Sequence, residues 1–204
     1  GTSAYRNSLF GYEAGGSITT GDYNVCFGGH AGANLTTGQR NVYIGAEAGY
    51  YSTDAQQNVC IGDDAGKANI TGIYNVCVGR RAGQKNLQSN NTYIGFEAGI
   101  LMKNADFNVA VGSKAMNGVT DADNNIAIGY ESLKNISSGD DNIAIGYLSM
   151  SNGTVTGNDN TSLGNESMYN ATTAHSNSVV GYKAGFNLTT GDKNTVLGYQ
   201  ALYA

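Results

Sequence analysis

The side chains able to do chemistry in this chain are few and scattered. There are two histidines, His30 and His175, three cysteines, Cys26, Cys60 and Cys77, and 16 acidic residues. An acid–base or nucleophilic site needs unlike groups converging on one place. The two histidines fall at non-equivalent positions and read as surface polar residues. No Cys-x-x-Cys occurs, so no zinc site is indicated. The cysteines share one position with Tyr, Ala, Val and Ser, which suits free thiols acting as small apolar side chains. A disulfide between Cys60 and Cys77 is the competing reading, because stacking would bring them about 4.8 Å apart. Asp63-Asp64, Asp140-Asp141 and Asp121-Ala122-Asp123 carry the oxygen donors that Ca²⁺ takes. They lack the Gly-Gly-x-Gly-x-Asp pattern of calcium-binding rolls and read as solvated turns. Glu131 and Glu166, about 9–10 Å apart across two coils, are the one carboxylate pair to weigh for glycoside cleavage. Tyr12, Tyr130, Tyr147, Tyr182 and Tyr199 recur just after a Gly. Tyr130, Tyr147, Tyr182 and Tyr199 are weak candidates for ligand contact, with packing along a coil edge or chain seam the favoured role. No metal and no cofactor is expected.

The elements that carry these residues are set by a repeat. Asn-x-x-apolar-Gly recurs at Asn7, Asn24, Asn41, Asn58, Asn75, Asn91, Asn108, Asn125, Asn142, Asn160, Asn177 and Asn194. The spacing is 17 residues throughout, apart from one step of 16 after Asn75 and one of 18 after Asn142. Counting positions from the Asn, position 4 is always Gly and position 7 is always Ala or Ser. A 17-residue unit is too short for a helical-pair repeat of about 34 residues or a propeller blade of about 40. Segments such as Asn41-Val42-Tyr43-Ile44-Gly45 alternate and are β-branched, hence strands. Stretches such as Asn34-Leu35-Thr36-Thr37-Gly38 read as turns. The expected architecture is all-β: a parallel β-solenoid, a β-roll or β-helix, of about twelve 17-residue coils, each with two short strands and two turns. Residues 1–204 form one repeat domain. The missing proline fits a continuous ladder in which every strand donates its N–H groups. Asn24, Asn41, Asn58, Asn75, Asn108, Asn125 and Asn142 are expected to stack as a structural ladder. Twenty-five of the 30 Gly fall on fixed positions and are expected to have positive φ.

Alternation assigns the faces. Position 3 is always a sizeable apolar residue, from Phe10 to Leu197, and is expected inside the coil. Position 2 is opposite and mostly small or apolar, so it is expected to pack against another copy in a parallel homotrimer. Position 6 is almost wholly polar, from Glu13 to Gln200, and reads as a solvent-facing row. Position 8 changes from Gly to Met116, Leu133, Met150 and Met168 in repeats seven to ten, where the coil should be wider or better filled.

The stretches Asn194-Thr195-Val196-Leu197-Gly198-Tyr199-Gln200-Ala201-Leu202 and Asn142-Ile143-Ala144-Ile145-Gly146-Tyr147-Leu148-Ser149 resemble the repetitive shafts of phage-type tail fibres. The motif is also similar to the Asn-Ser-Val-Ala-Ile-Gly repeat of trimeric autotransporter adhesin heads. The resemblance implies a trimeric shaft, extracellular, on a cell surface or on a virion tail, with an adhesive or spacer function and a cell-surface glycan or outer-membrane component as possible partner. With no end cap visible, the chain reads as a fragment of a longer fibre. A non-enzymatic structural or adhesive fibre segment is the expected function. A glycan-processing spike is the alternative, and an ice-binding solenoid, suggested by Thr pairs such as Thr36-Thr37, is the second. The acidic balance (net charge −5) and lack of a basic cluster argue against nucleic acid. No apolar run approaches the roughly 18 residues of a membrane helix.

Overall fold

A computed structural model describes residues 4–86, 88–118 and 121–203. Twelve three-residue strands form one parallel sheet in chain order. They are β1 (Ser8–Phe10), β2 (Val25–Phe27), β3 (Val42–Ile44), β4 (Val59–Ile61), β5 (Val76–Val78), β6 (Thr92–Ile94), β7 (Val109–Val111), β8 (Ile126–Ile128), β9 (Ile143–Ile145), β10 (Thr161–Leu163), β11 (Ser178–Val180) and β12 (Thr195–Leu197). The chain therefore winds a β-solenoid of about eleven turns. Equivalent residues pair throughout, as in Val42↔Val59. The short and long repeats keep that register too, with Val76 opposite Thr92 and Thr161 opposite Ile143. Their missing and extra residues are absorbed in the turns opposite the sheet. Among the described residues no helix is long and apolar enough to cross a membrane.

Each coil contributes one strand, not two. Among the described residues the rest of the coil makes only isolated bridges, Gln56 to Ile73 and Ile136 to Val155. The reason lies in the backbone. Among the described residues, 29 non-glycine residues have positive φ. They occupy the position just before each Asn, position 6, and position 8 where that is Met or Leu. Left-handed residues bend the chain away from the extended form that a second strand needs. Hydrogen bonding still runs from coil to coil there, as in Gly32 N to Ala48 O (2.9 Å) and Thr36 N to Thr53 O (2.9 Å). Each left-handed L-residue costs about 1–2 kcal/mol, and it persists because the coils above and below hold it.

The glycines divide into two groups. Those at positions 4 and 8 have positive φ, 126–139° and 56–61° respectively. The six that close a repeat (Gly21, Gly38, Gly72, Gly139, Gly157 and Gly191) are absent from the positive-φ set, contrary to expectation. They answer a different need: a Cβ on Gly139 would lie 2.5 Å from the Gly157 carbonyl oxygen of the next coil.

The faces are the reverse of those expected from alternation. Position 2 points inward: Cys26, Tyr43, Cys60, Tyr93, Ala110, Ala127, Ala144 and Val179 are fully buried. Position 3 points outward: Phe10, Phe27, Ile61, Ile94, Ile128, Ile145, Val180 and Leu197 are exposed. Both positions are apolar, so alternation alone could not orient the strand. The buried Asn decides it, because positions 0 and 2 share a side and the Asn amides find partners only inside.

Inside, positions 2 and 8 face one another and exchange volume. A Cβ on Gly49 would lie 2.6 Å from the Tyr43 ring, and one on Gly32 would lie 2.9 Å from Cys26 Sγ. Where position 8 is Met116, Leu133, Met150 or Met168, all fully buried, position 2 is Ala110, Ala127, Ala144 or Ser162. The coils in that region are filled from the turn side instead of the strand side, which keeps them packed.

Candidate interaction face

Three side-chain systems line the solenoid: an internal amide ladder, an outer polar ladder and an exposed apolar face. In the first, Asn41 Oδ1 accepts from the Asn58 backbone N–H (3.1 Å) and from Asn58 Nδ2 (3.1 Å). Asn41 Nδ2 donates to Asn24 Oδ1 (3.0 Å) and to the Ala55 carbonyl (2.7 Å). The same pattern recurs at Asn108, Asn125 and Asn142. Every polar atom of these buried amides is used, which is what burial of an amide demands.

The second ladder runs two residues before the Asn, and sequence reasoning missed it. Asp106 N donates to Asp123 Oδ1 (2.8 Å) and Asp123 N to Asp140 Oδ1 (2.8 Å). Asp140 N donates to Asn158 Oδ1 (2.9 Å), Asn158 N to His175 Nδ1 (3.0 Å), and His175 N to Asp192 Oδ1 (2.8 Å). Asp123 and Asp140 are therefore backbone acceptors rather than free solvated acids. His175 serves as one more acceptor in the same row. The common signal was an Asp, Asn or His two residues ahead of the motif.

The third system is the sheet's outer surface. Positions 1 and 3 present Val, Ile, Phe, Leu, Thr and Ser over the twelve strands, with position 3 apolar throughout and mostly exposed. Phe10 and Phe27 stack on it with centroids 4.8 Å apart. One flank is the row just before each Asn, exposed in every coil; the other is position 5, exposed in most. Aromatics occur three times in the first row (Tyr23, Tyr74, Phe107) and six times in the second (Tyr12, Phe96, Tyr130, Tyr147, Tyr182, Tyr199), never twice in one coil. Tyr130 stacks on Tyr147 (5.5 Å, 15°) and Tyr182 on Tyr199 (5.3 Å, 19°). Each of those rings has one face covered by its neighbour in the column.

The remaining chemistry candidates are engaged elsewhere. His30 lies at position 6, with Nδ1 3.2 Å from Glu13 Oε2, eight coils from His175. Position 6 is a half-buried charge row rather than a free solvent face: Arg81 reaches Asp64 and Glu97, and Lys67 joins Glu47 to Asp64. Glu131 is paired with Lys134 (2.9 Å) and Glu166 with Lys183 (3.4 Å). Burial pushes the Glu131 carboxyl up, but bonds from Lys134 and Tyr130 outweigh it and hold the group below its ordinary value. A general acid in glycoside cleavage needs the opposite shift. Cys26, Cys60 and Cys77 are free and buried. Burial pushes the Cys26 thiol up to about 12. A bond with the Cys77 thiol, together with burial, holds Cys60 well above the usual range. Thr19, Thr36 and Thr172 donate their hydroxyls to carbonyls of the next coil. No cleft and no group of three metal-ligating side chains lies among the described residues.

No family model, curated protein or solved structure matches this chain.

Proposed function

We propose that the chain is a non-enzymatic structural or adhesive fibre segment. In this reading it self-associates as a parallel homotrimer and projects or forms a host- or surface-binding element outside a cell or on a virion tail. One observation carries it: an outward-facing row, position 3, that is apolar in all twelve strands of one continuous parallel sheet. Twelve strands at about 4.8 Å span roughly 53 Å, and seven residues across at about 3.3 Å span roughly 20 Å. The face and its flanks thus offer on the order of 1,000 Å², above the roughly 800 Å² per partner of a standard interface. The apolar strip at its centre, three residues wide, is about 500 Å², at the upper end of the largest patch a monomer leaves in water. The fibre role further rests on one unit repeated twelve times, with the polar groups consumed by coil-to-coil bonding.

Light scattering tests the reading. The expected mass is a multiple of 21.2 kDa, with three the expected multiple. Placing Ile61→Lys, Ile94→Lys and Ile128→Lys together on the face should return the mass to one chain with the β-sheet circular dichroism retained. A wild-type chain that is monomeric at micromolar concentration would overturn the proposal.

A further inference from the structure

The two flanks of the apolar face are complementary to each other coil by coil, and this names the arrangement of the copies. We infer that neighbouring copies pack parallel and in register, the row just before each Asn on one copy meeting position 5 of the next copy in the same coil. The inference rests on the self-association reading, gives a ground for its parallel direction, and adds the register and the rows that meet.

Geometry limits the choices. If two faces meet around an axis parallel to the rod, the leading flank of one copy lies against the trailing flank of its neighbour at the same level, whether the ring closes at two or three. If they meet about an axis across the rod, each flank meets its own kind and the coil order is reversed. In the first arrangement bulky residues meet small ones: Tyr23 faces Gly29, Phe107 faces Ser113, and Ser176 faces Tyr182. Three of the four cations in these rows meet a Tyr: Arg6 with Tyr12, Arg80 with Tyr74, and Lys193 with Tyr199. Such contacts are worth about 0.5–1 kcal/mol each at exposed sites. No like charges and no two aromatics meet. The reversed arrangement sets Arg6 against Lys193 and Tyr12 against Tyr199 instead. Within one chain these rows already use the same chemistry, with the Arg6 and Arg40 guanidiniums on the Tyr23 ring at 5.2 and 5.7 Å.

Disulfide trapping in the full chain reads out the seam. Ser176→Cys with Tyr182→Cys places both thiols in one coil, on opposite flanks. They are separated by six residues of chain, too far apart to join within a copy, since bridged Cα atoms lie under about 7 Å apart. Under mild oxidation the doubly substituted chain should form covalent closed oligomers, while either single variant stays uncrosslinked. Ser176→Cys with Tyr147→Cys, two coils out of step, should stay uncrosslinked as well. Crosslinking of single variants to themselves, or of the out-of-step pair alone, in a protein that light scattering shows to be oligomeric would overturn the parallel seam and leave self-association standing. A monomeric mass would overturn both.

Discussion

Tyr43 and Tyr93 place the same side chain in the same inward position with different partners. The Tyr43 hydroxyl donates to Ser52 Oγ (3.0 Å), which in turn donates to the Asn69 carbonyl (2.7 Å). The Tyr93 hydroxyl is buried without a partner, in a coil whose position 11 is the fully buried Met102. Loss of a satisfied buried bond costs about 1 kcal/mol, whereas an unsatisfied hydroxyl is itself a penalty. Tyr43→Phe should therefore lower the denaturation midpoint by about 1 kcal/mol of stability, and Tyr93→Phe should leave it level or raise it; equal losses would contradict the account. The buried thiols and phenols also set an alkaline limit. Cys26, Cys60, Tyr43 and Tyr93 all have values raised by the fold. Unfolded, the thiols lose their protons from about pH 9 and the phenols from about pH 10, whereas the folded chain keeps them. The stabilisation is complete below pH 9 and falls as the pH rises from there towards 12. Melting temperature should drop over that window, and Cys26→Ala should flatten the drop. A melting temperature constant from pH 8 to 11 would rule this out.

At the scale of the coil, two kinds of constraint separate cleanly. Gly95 and Gly198 both stand at position 4 with φ of 136° and 128°. A Cβ on Gly95 would lie 2.5 Å from the Gly112 carbonyl oxygen, whereas one on Gly198 meets nothing nearer than Ala201 at 3.8 Å. Both Ala variants bear the backbone strain, but only Gly95→Ala must also push two coils apart. Chemical denaturation should show Gly95→Ala the more damaging by at least 2 kcal/mol, in the range of strained or overpacked sites (~1–3 kcal/mol). The exchange of volume between positions 2 and 8 predicts a coupled pair. Tyr43→Ala should cost about 3–5 kcal/mol by opening a cavity, and Gly49→Met should collide with the Tyr43 ring. Together they recreate the Ala110–Met116 arrangement, so the double variant should be more stable than the sum of the singles by over 1 kcal/mol, the scale of coupling for residues in contact. Additive losses would refute the exchange. This rule was in the sequence unread: in repeats seven to ten position 8 enlarges to Met or Leu where position 2 shrinks to Ala or Ser. The period, the strand and the parallel stacking were legible because one motif recurs twelve times. The orientation of the strand was not, since Val-x-Ile is apolar on both sides and the choice depends on where the Asn amides are satisfied. The single sheet was not legible either, because left-handed Glu, Arg, Tyr and Met residues carry no local signal of their conformation.

For the whole molecule, each coil touches only its neighbours and the apolar outer face is the one large surface left uncovered. Stability should then grow with the number of coils as a sum of near-identical terms, while association depends on the full length of the face. Charges on that face belong in an association assay and internal substitutions in a folding assay. Ile94→Lys alone should weaken the oligomer with little change in the secondary-structure melting of the dissociated chain. Tyr43→Ala should do the reverse. A face substitution that melts the isolated chain as strongly as a core one would mean that the faces have been misassigned.

The ladder bonds lie nearly along the rod, so under tension between its two ends the coil interfaces bear the load in series and would give way one by one. Each coil that lets go would release 17 residues of chain, roughly 55–60 Å when drawn straight, in exchange for about 4.8 Å of folded rise. A shaft wound in this way would behave under load as a series of extensible links, each surrendered coil lengthening about twelvefold while the remaining coils stay wound.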